Sequence, residues 1–414
     1  MIPAFDNPIS NIHEGRDRMR LQSTRHILLA GVAAVAFASP AFALDGADVL
    51  KKINDAYRVQ GAEIAAKSIA VDGSTVTLSG VTFSATTPKD QVIPLGNVRL
   101  DGVEEDNGGY TIEKMSFDDV RYAKENVAVD VSDIYVSGIV VPADSTTGKV
   151  DSMMLYDEAH SGPVSVKIDG KETFALEETK TTMTKSEDDS TISFDLNATG
   201  FKADLSNIQD PKSKEAIDKL QVQSLSGEMN MSGSWEIAPG TLTVDEYAID
   251  LKDVGRLNMA FSFSGYTLNF IKSMQDAVKA QAANPNKEQA DQAAGLAMLG
   301  LMQQLSFNSA EISFDDASIT KRAIDYAAGE QGMTGEQLSQ TIKGMVPIMM
   351  AQLNVPELQN AVSAAVNTYI DDPKNFTISA APAKPVPFPM IMGAAMGAPN
   401  TIPQVLGLTV SANE

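Results

Sequence analysis

Serine catalysis needs a base to take the hydroxyl proton, usually a histidine held by a carboxylate. This chain of 414 residues has 3 His, and two of them, His13 and His26, lie in a leader expected to be removed. His160 remains, within the polar run Asp157-Glu158-Ala159-His160-Ser161-Gly162-Pro163, which reads as a solvent-exposed loop between strands. No G-x-S-x-G elbow accompanies it. Ser318-Ile319-Thr320-Lys321 has the S-x-x-K spacing at which a helical lysine approaches a serine, but neither S-D-N nor K-T-G follows, so coincidence is the better account. With 0 Cys, the chain has no thiolate zinc ligands, cysteine nucleophile or disulfide. Asp118-Asp119, Asp315-Asp316 and Asp371-Asp372 offer the oxygen ligands that calcium takes, yet none sits in an EF-hand loop. They read as charged element ends that discourage edge pairing. Phosphate-cradling G-x-x-x-x-G-K-[ST] and G-x-G-x-x-G loops are missing. Gly393-Ala394-Ala395-Met396-Gly397 fits G-x-x-x-G in a stretch too short to span a membrane, and close backbone packing is its expected role. No catalytic, metal or cofactor-binding residue emerges.

The positive feature is soft and apolar. Of 19 Met, eight cluster in the C-terminal part: Met298, Met302, Met345, Met349, Met350, Met390, Met392 and Met396. Unbranched thioethers fill irregular core gaps, and they also line surfaces that accommodate varied apolar ligands. Packing of a helical part against a sheet is the commoner account of such a stripe, and a groove for acyl chains is the other. These eight are the candidate apolar-ligand or partner surface.

Position and charge come from the rest of the chain. Met19 to Ala43 has the order of a secretory signal peptide: basic Arg20 and Arg25, an apolar run from Ile27 to Ala38, then Ala41-Phe42-Ala43. Cleavage is expected after Ala43, with Met19 as the expected true start. The apolar run of about a dozen residues is short of the ~20 that cross a bilayer as a helix. Its removal leaves no transmembrane anchor, and the expected location is the periplasm. The leader carries four Arg and three acidic residues, so its loss takes the net charge from −22 to −23. So acidic a chain is a poor partner for nucleic acid.

The elements that must position these residues follow from periodicity. Leu50, Ile53 and Tyr57 share a helical face after Asp45 or Asp48 as cap. From Ser68 to Phe263 the period is two, with turns at Asp72-Gly73, Asp101-Gly102 and Asn107-Gly108-Gly109, which predicts an antiparallel meander. Asp210 to Ile217 interrupts it as a short capped helix. After residue 268 Ala, Gln, Met and Leu dominate at helical spacing. Helices are predicted over Leu268–Ala283, Asn286–Leu305, from Thr334 with Gln337 as a capping box toward Leu353, and from Pro356 to Asp372. One strand returns at Ala310–Phe314 and others at Thr377–Ser379 and Leu406–Val410, around a Pro-rich stretch from Pro385 to Pro403. Lys114–Val120 and Ala310–Ala317 share a Ser-Phe-Asp-Asp pattern that raises the idea of duplicated strand–helix modules. The expected fold class is α+β: a leader over 1–43, a β-rich domain over 44–267 opened by a short helix, and an α+β domain over 268–414.

The runs Ile93–Leu100, Tyr110–Phe117, Val127–Val131 and Leu242–Phe261 resemble the long β-meanders of Gram-negative envelope proteins of the AsmA-like and YdgA-like kind. That resemblance implies a role in the envelope and carries over no catalytic residues. The family members usually keep an N-terminal membrane anchor, whereas Ala41-Phe42-Ala43 points to release. The expectation is an exported, non-catalytic protein that holds an apolar ligand, such as a lipid or acyl chain, or docks an envelope partner. The alternatives are a carboxylate-based hydrolase and a ligand-free scaffold.

Overall fold

Apolar side chains at every second position share one face of a strand, so a chain repeating that pattern is driven to build a wide sheet. The computed structural model describes residues 44–59, 62–85, 92–352 and 354–414; the expected leader, 1–43, lies outside the described residues. Strands β1 (Ala62–Ala65) and β2 (Ser68–Asp72) lie along β3 (Thr75–Ala85), which pairs with β4 (Val92–Asp106), and β4 with β5 (Gly109–Phe117). The next passes come in halves: β6 (Val120–Lys124), β7 (Val127–Val131) with β8 (Tyr135–Val141), β9 (Glu158–Ser161) with β10 (Val164–Ile168), and β11 (Lys171–Leu176) with β12 (Glu178–Lys185). The halves form two arms, β5-β8-β9-β12 and β6-β7-β10-β11. Both arms rejoin on β13 (Thr191–Asp204). From there β14 (Ser224–Glu236), β15 (Thr241–Leu251), β16 (Gly255–Ser264), β17 (Ser306–Asp316) and β18 (Asn375–Ala380) follow in order. The two-residue β19 (Val386–Pro387) extends the partner track of β17, and β20 (Leu408–Ala412) pairs with β18. All these pairings are antiparallel. The result is the β-rich α+β fold that the alternation predicts.

Two glycines absorb the joins between half-strands. Gly80 (φ 60°) sits at a register shift in β3 opposite the β1–β2 break, where Lys67 N donates to Ser79 O at 2.9 Å. Gly200 (φ 66°) does the same in β13 opposite the β11–β12 break, where Glu177 N donates to Thr199 O at 2.9 Å. Only glycine takes this left-handed bulge conformation without strain.

Helix caps agree with the sequence. For α1 (Gly46–Val59), Asp45 Oδ1 accepts from Ala47 N at 2.9 Å and Asp48 N at 3.2 Å. Asp210 caps α2 (Pro211–Leu220) and Thr267 caps α3 (Leu268–Ala283), with α4 (Lys287–Met302) and α5 (Ile319–Glu330) following. At α6 (Gly335–Gln352) the capping box is reciprocal: Thr334 N donates to Gln337 Oε1 at 2.9 Å, and Gln337 N to Thr334 Oγ1 at 3.2 Å. After α7 (Pro356–Asp371), the Pro-rich stretch holds α8 (Phe388–Gly397) and α9 (Ile402–Leu406), which the sequence reading missed. Pro389 is tolerated because it falls in the first turn, where no intrahelical N–H bond is lost.

Directly paired residues on neighbouring strands point to one face, so the registers read across the sheet as rows. One row runs Val76, Leu100, Met115, Val136, Ala159, Thr181, Leu196, Met231, Tyr247, Met259, Ile312, Ile378, Val410. The row one residue along, on the opposite face, runs Thr77, Arg99, Ser116, Tyr135, His160, Lys180, Asn197, Asn230, Ala248, Asn258, Ser313, Thr377, Ser411. The first row is apolar but for Thr181, and the second polar but for Ala248. The rows cross residue 267 without a break, and Leu44–Glu414 forms one compact unit. The change of composition there marks where helices are inserted between strands of a continuing sheet.

Helices cover the apolar face in patches. Val49 and Ile53 of α1 close over Val76, Leu100 and Met115, all nearly inaccessible. Farther along, Leu268 and Ile271 of α3 pack with Val150 and Met153 over Ile192 and Trp235, and Trp235 Nε1 donates to Tyr266 O at 2.8 Å. At the far edge Tyr369 of α7 meets Phe376 edge-on at 5.5 Å, and Arg322 of α5 donates to Leu220 O at 2.6 Å, tying in α2. The duplicated-module idea finds no matching pair of modules: β17 leads into α5, whereas β5 leads into β6.

Candidate functional site

Between the covers of α3 and α7 the apolar face is open. Ile312 is 49% exposed, and its partner Ile378 and the nearby Phe261 are each 39% exposed. Met259 pairs with Ile312, and Tyr247 and Met231 continue the row, half-buried. Phe261 stacks on Phe263 at 6.4 Å, which meets Tyr266 beneath α3; on the other side Phe314 pairs with Phe376 under α7. The opening is therefore a strip of apolar floor with aromatic walls. Leaving an isoleucine in water forgoes about 1.5–3 kcal/mol that its burial would contribute. Two adjacent half-open isoleucines on β17 and β18, near the last strand of the sheet, thus leave a patch of apolar surface in water.

The same face carries a cavity of about 630 Å³ where the β8–β9 connection folds over Met183 and Ile192. Val141, Met153, Leu155 and Tyr156 line it with Asp106, Asp157 and Lys185 at its margin. No local pattern signals it, because a loop folding back makes it.

The eight methionines do not converge on this floor as one group. None is fully buried: Met298 (50%), Met345 (51%), Met349 (57%), Met390 (56%) and Met396 (89%) are exposed, and Met302, Met350 and Met392 are half-buried. They lie on α4, α6 and α8, so their stripe is not the packed core of a helical part. Gly393 and Gly397 are corrected likewise: a Cβ built at either meets no atom within 4 Å, so no close backbone packing occurs there.

His160 also departs from expectation. It is on strand β9 with its side chain 11% exposed, stacked on Tyr135 at 4.6 Å. Pairing of β9 with both β8 and β12 places it inside the sheet, on the polar face. Nδ1 lies 2.9 Å from Asp133 O and Nε2 3.1 Å from Glu178 Oε1, so both nitrogens face oxygens that are not nucleophiles. Around it Tyr135 OH donates to Glu158 Oε1 at 2.8 Å, Lys180 pairs with Glu158 at 2.6 Å, and Lys114 Nζ sits 3.9 Å over the Tyr135 ring. The Lys180 hydrogen bond holds Glu158 below its ordinary range. This is a polar network with its partners satisfied internally.

Donating that bond to Glu158, the Tyr135 phenol is pushed up to about 12; Tyr110, chiefly through burial and then its 2.8 Å bond to Asp48, is also raised to about 12. A phenol whose folded pKa is raised stabilises the fold below the unfolded value of about 10, and that contribution disappears as pH rises through about 12. Ultraviolet titration is expected to show two of the nine tyrosines ionising near pH about 12, with stability falling from about pH 10 upward. Ionisation of all nine near pH 10 would contradict these two bonds.

The remaining candidates have structural roles. Ser318 Oγ donates to Asp253 O at 2.9 Å while Lys321 pairs with Asp325 at 2.6 Å, so the S-x-x-K pair does not meet. Asp118 Oδ2 accepts from Asn97 N and Nδ2 at 2.8 and 2.9 Å, and Asp316 accepts from Ser318 N and Thr320 N, both at 2.8 Å. Asp371 pairs with Lys343 and Asp372 with Lys374. Among the described residues no group of three or more His, Asp and Glu is placed to hold a metal ion, and no helix is long and apolar enough to cross a membrane.

In comparison with known proteins, residues 248–413 match the model of a family described only as "Uncharacterized protein". That stretch runs from within β15 to the last residue but one. It contains the Met-rich helices and the strands carrying Met259, Ile312 and Ile378. No curated protein matches the chain.

Proposed function

We propose that this is an exported, periplasmic, non-catalytic protein whose sheet holds an apolar ligand, an acyl chain or lipid tail, along the open strip of its apolar face. The observation that carries the reading is the row Met231, Tyr247, Met259, Ile312, Ile378, continuous with the buried core and yet half-open between α3 and α7. A linear strip crossing strands at ~4.8 Å intervals suits an extended hydrocarbon chain. Its Met and aromatic side chains adapt to ligands of varied shape. Export rests on the leader ending in Ala41-Phe42-Ala43. A carboxylate hydrolase would need a carboxylic acid kept protonated in a cleft. Every described carboxyl with a displaced pKa is displaced downward, Glu158 and Asp101 by hydrogen bonds to Lys180 and Arg99 before any other cause. Titrating a fluorescent fatty acid into the purified protein is expected to give saturable uptake. No uptake, together with native mass spectra free of co-purified lipid, would overturn the reading.

A further inference from the structure

Three stretches of this acidic chain carry no charge at all: none between Asp291 and Glu311, between Lys343 and Glu357, or between Lys384 and Glu414. They hold the C-terminal halves of α4 and α6 and the whole of α8. The fold links the three. Phe388 N at the start of α8 donates to Leu305 O, just past α4, at 3.1 Å. The turn Pro399–Thr401 and α9 pack against α8, and Thr401 and Pro403 border a small cavity with Asn354 and Val355 of the α6–α7 turn.

At this end the helices are bare. Leu296 is 71% exposed, Ile348 61% and Met396 89%. A Cβ built at Gly300, Gly344 or Gly397 meets nothing within 4 Å. No residue of α8 is buried, and its exposed Met390 and Met396 lie about 120° apart around the axis. A rigid protein partner would cover one stripe of such a helix, whereas fluid acyl chains reach every side that the turn and α9 leave open. Ten residues make a helix of about 15 Å, half the ~30 Å hydrocarbon core, so α8 enters one leaflet without crossing.

We propose that this end of the sheet docks into the headgroup–acyl boundary of a lipid bilayer with zwitterionic headgroups. The headgroup charge follows from the chain's own. With 54 acidic against 32 basic residues, anionic lipid repels it, and Lys343, the cation leading into the α6 stretch, is already paired with Asp371. The docking residues on α4, α6 and α8 are not those of the strip on β17 and β18, so the two readings are tested by different variants.

The test is co-sedimentation of the protein with phosphatidylcholine vesicles. The expected result is binding that falls about tenfold or more in Met390→Asp with Met396→Asp, equivalent to about 1.4 kcal/mol. Both side chains are exposed, so circular dichroism should show an unchanged fold. Val71→Asp, an exposed apolar position on β2, should bind as the parent does. Replacing a third of the phosphatidylcholine by phosphatidylglycerol should weaken binding at low salt. Absence of parent binding, binding only to anionic vesicles, equal binding by the double variant, or masking of this end by a second copy of the chain would each overturn the proposal.

Discussion

Exchanging Ile312 for Glu and Ile378 for Lys in one protein is expected to lower fatty-acid affinity at least about tenfold, or ~1.4 kcal/mol, with little loss of stability. The two residues are directly paired on β17 and β18, so the new side chains face each other as a cross-strand ion pair rather than as like charges. Both positions are already 49% and 39% exposed, so the fold loses little burial, and substitutions at such sites commonly stay within ~0.5–1 kcal/mol. A ligand lying across them, by contrast, would have to strip water from two charges, a cost of several kcal/mol when compensation is incomplete. The measurement is the fluorescent fatty-acid titration, with urea unfolding alongside. Unchanged affinity in a folded variant would show that the strip is not the binding floor.

The second large effect belongs to the covered end of the same row. Leu100→Ala is expected to destabilise the protein by about 2–5 kcal/mol, the range for deleting a buried leucine side chain and leaving a cavity. Leu100 is 0% exposed, pairs with Val76 and Met115, and lies beneath Val49 and Ile53 of α1. Ile312→Ala, on the same face but half-open, is expected to cost under ~1.5 kcal/mol, since burial there is incomplete. Urea denaturation of the two variants checks the contrast. Equal losses would mean that the face is covered evenly and that the strip is not open.

Much of this architecture was legible in the chain. Alternation from Ser68 to Phe263 announces the strands, and Asp45, Asp210 and the Thr334–Gln337 box announce helix starts, because caps and period-two patterns are local. The rows were not legible. Register depends on bulges such as those at Gly80 and Gly200 and on which half-strand pairs with which, and neither is encoded within one strand. His160 reads as a loop residue because Asp157 to Pro163 is polar and short, and only pairing with Tyr135 and Lys180 reveals a strand within the polar face. The prolines of 385–403 hide α8, since a proline in a first turn looks like one in a loop. The methionines are the sharpest case. Their types and spacing are identical whether a stripe is covered or bare, so Met298, Met349 and Met396 could be named as a surface but not placed in the open. The half-open Ile312 and Ile378 had no signal at all, because Ile in a strand ordinarily means core.

The central claim is that an apolar ligand lies on the sheet between α3 and α7, and photo-crosslinking tests it most directly. A fatty acid bearing a diazirine on its chain, irradiated with the protein and mapped by peptide mass spectrometry, is expected to mark peptides of β16, β17 and β18 containing Met259, Phe261, Ile312 or Ile378. Adducts confined to α4, α6 and α8, or none above those on an unfolded control, would contradict it.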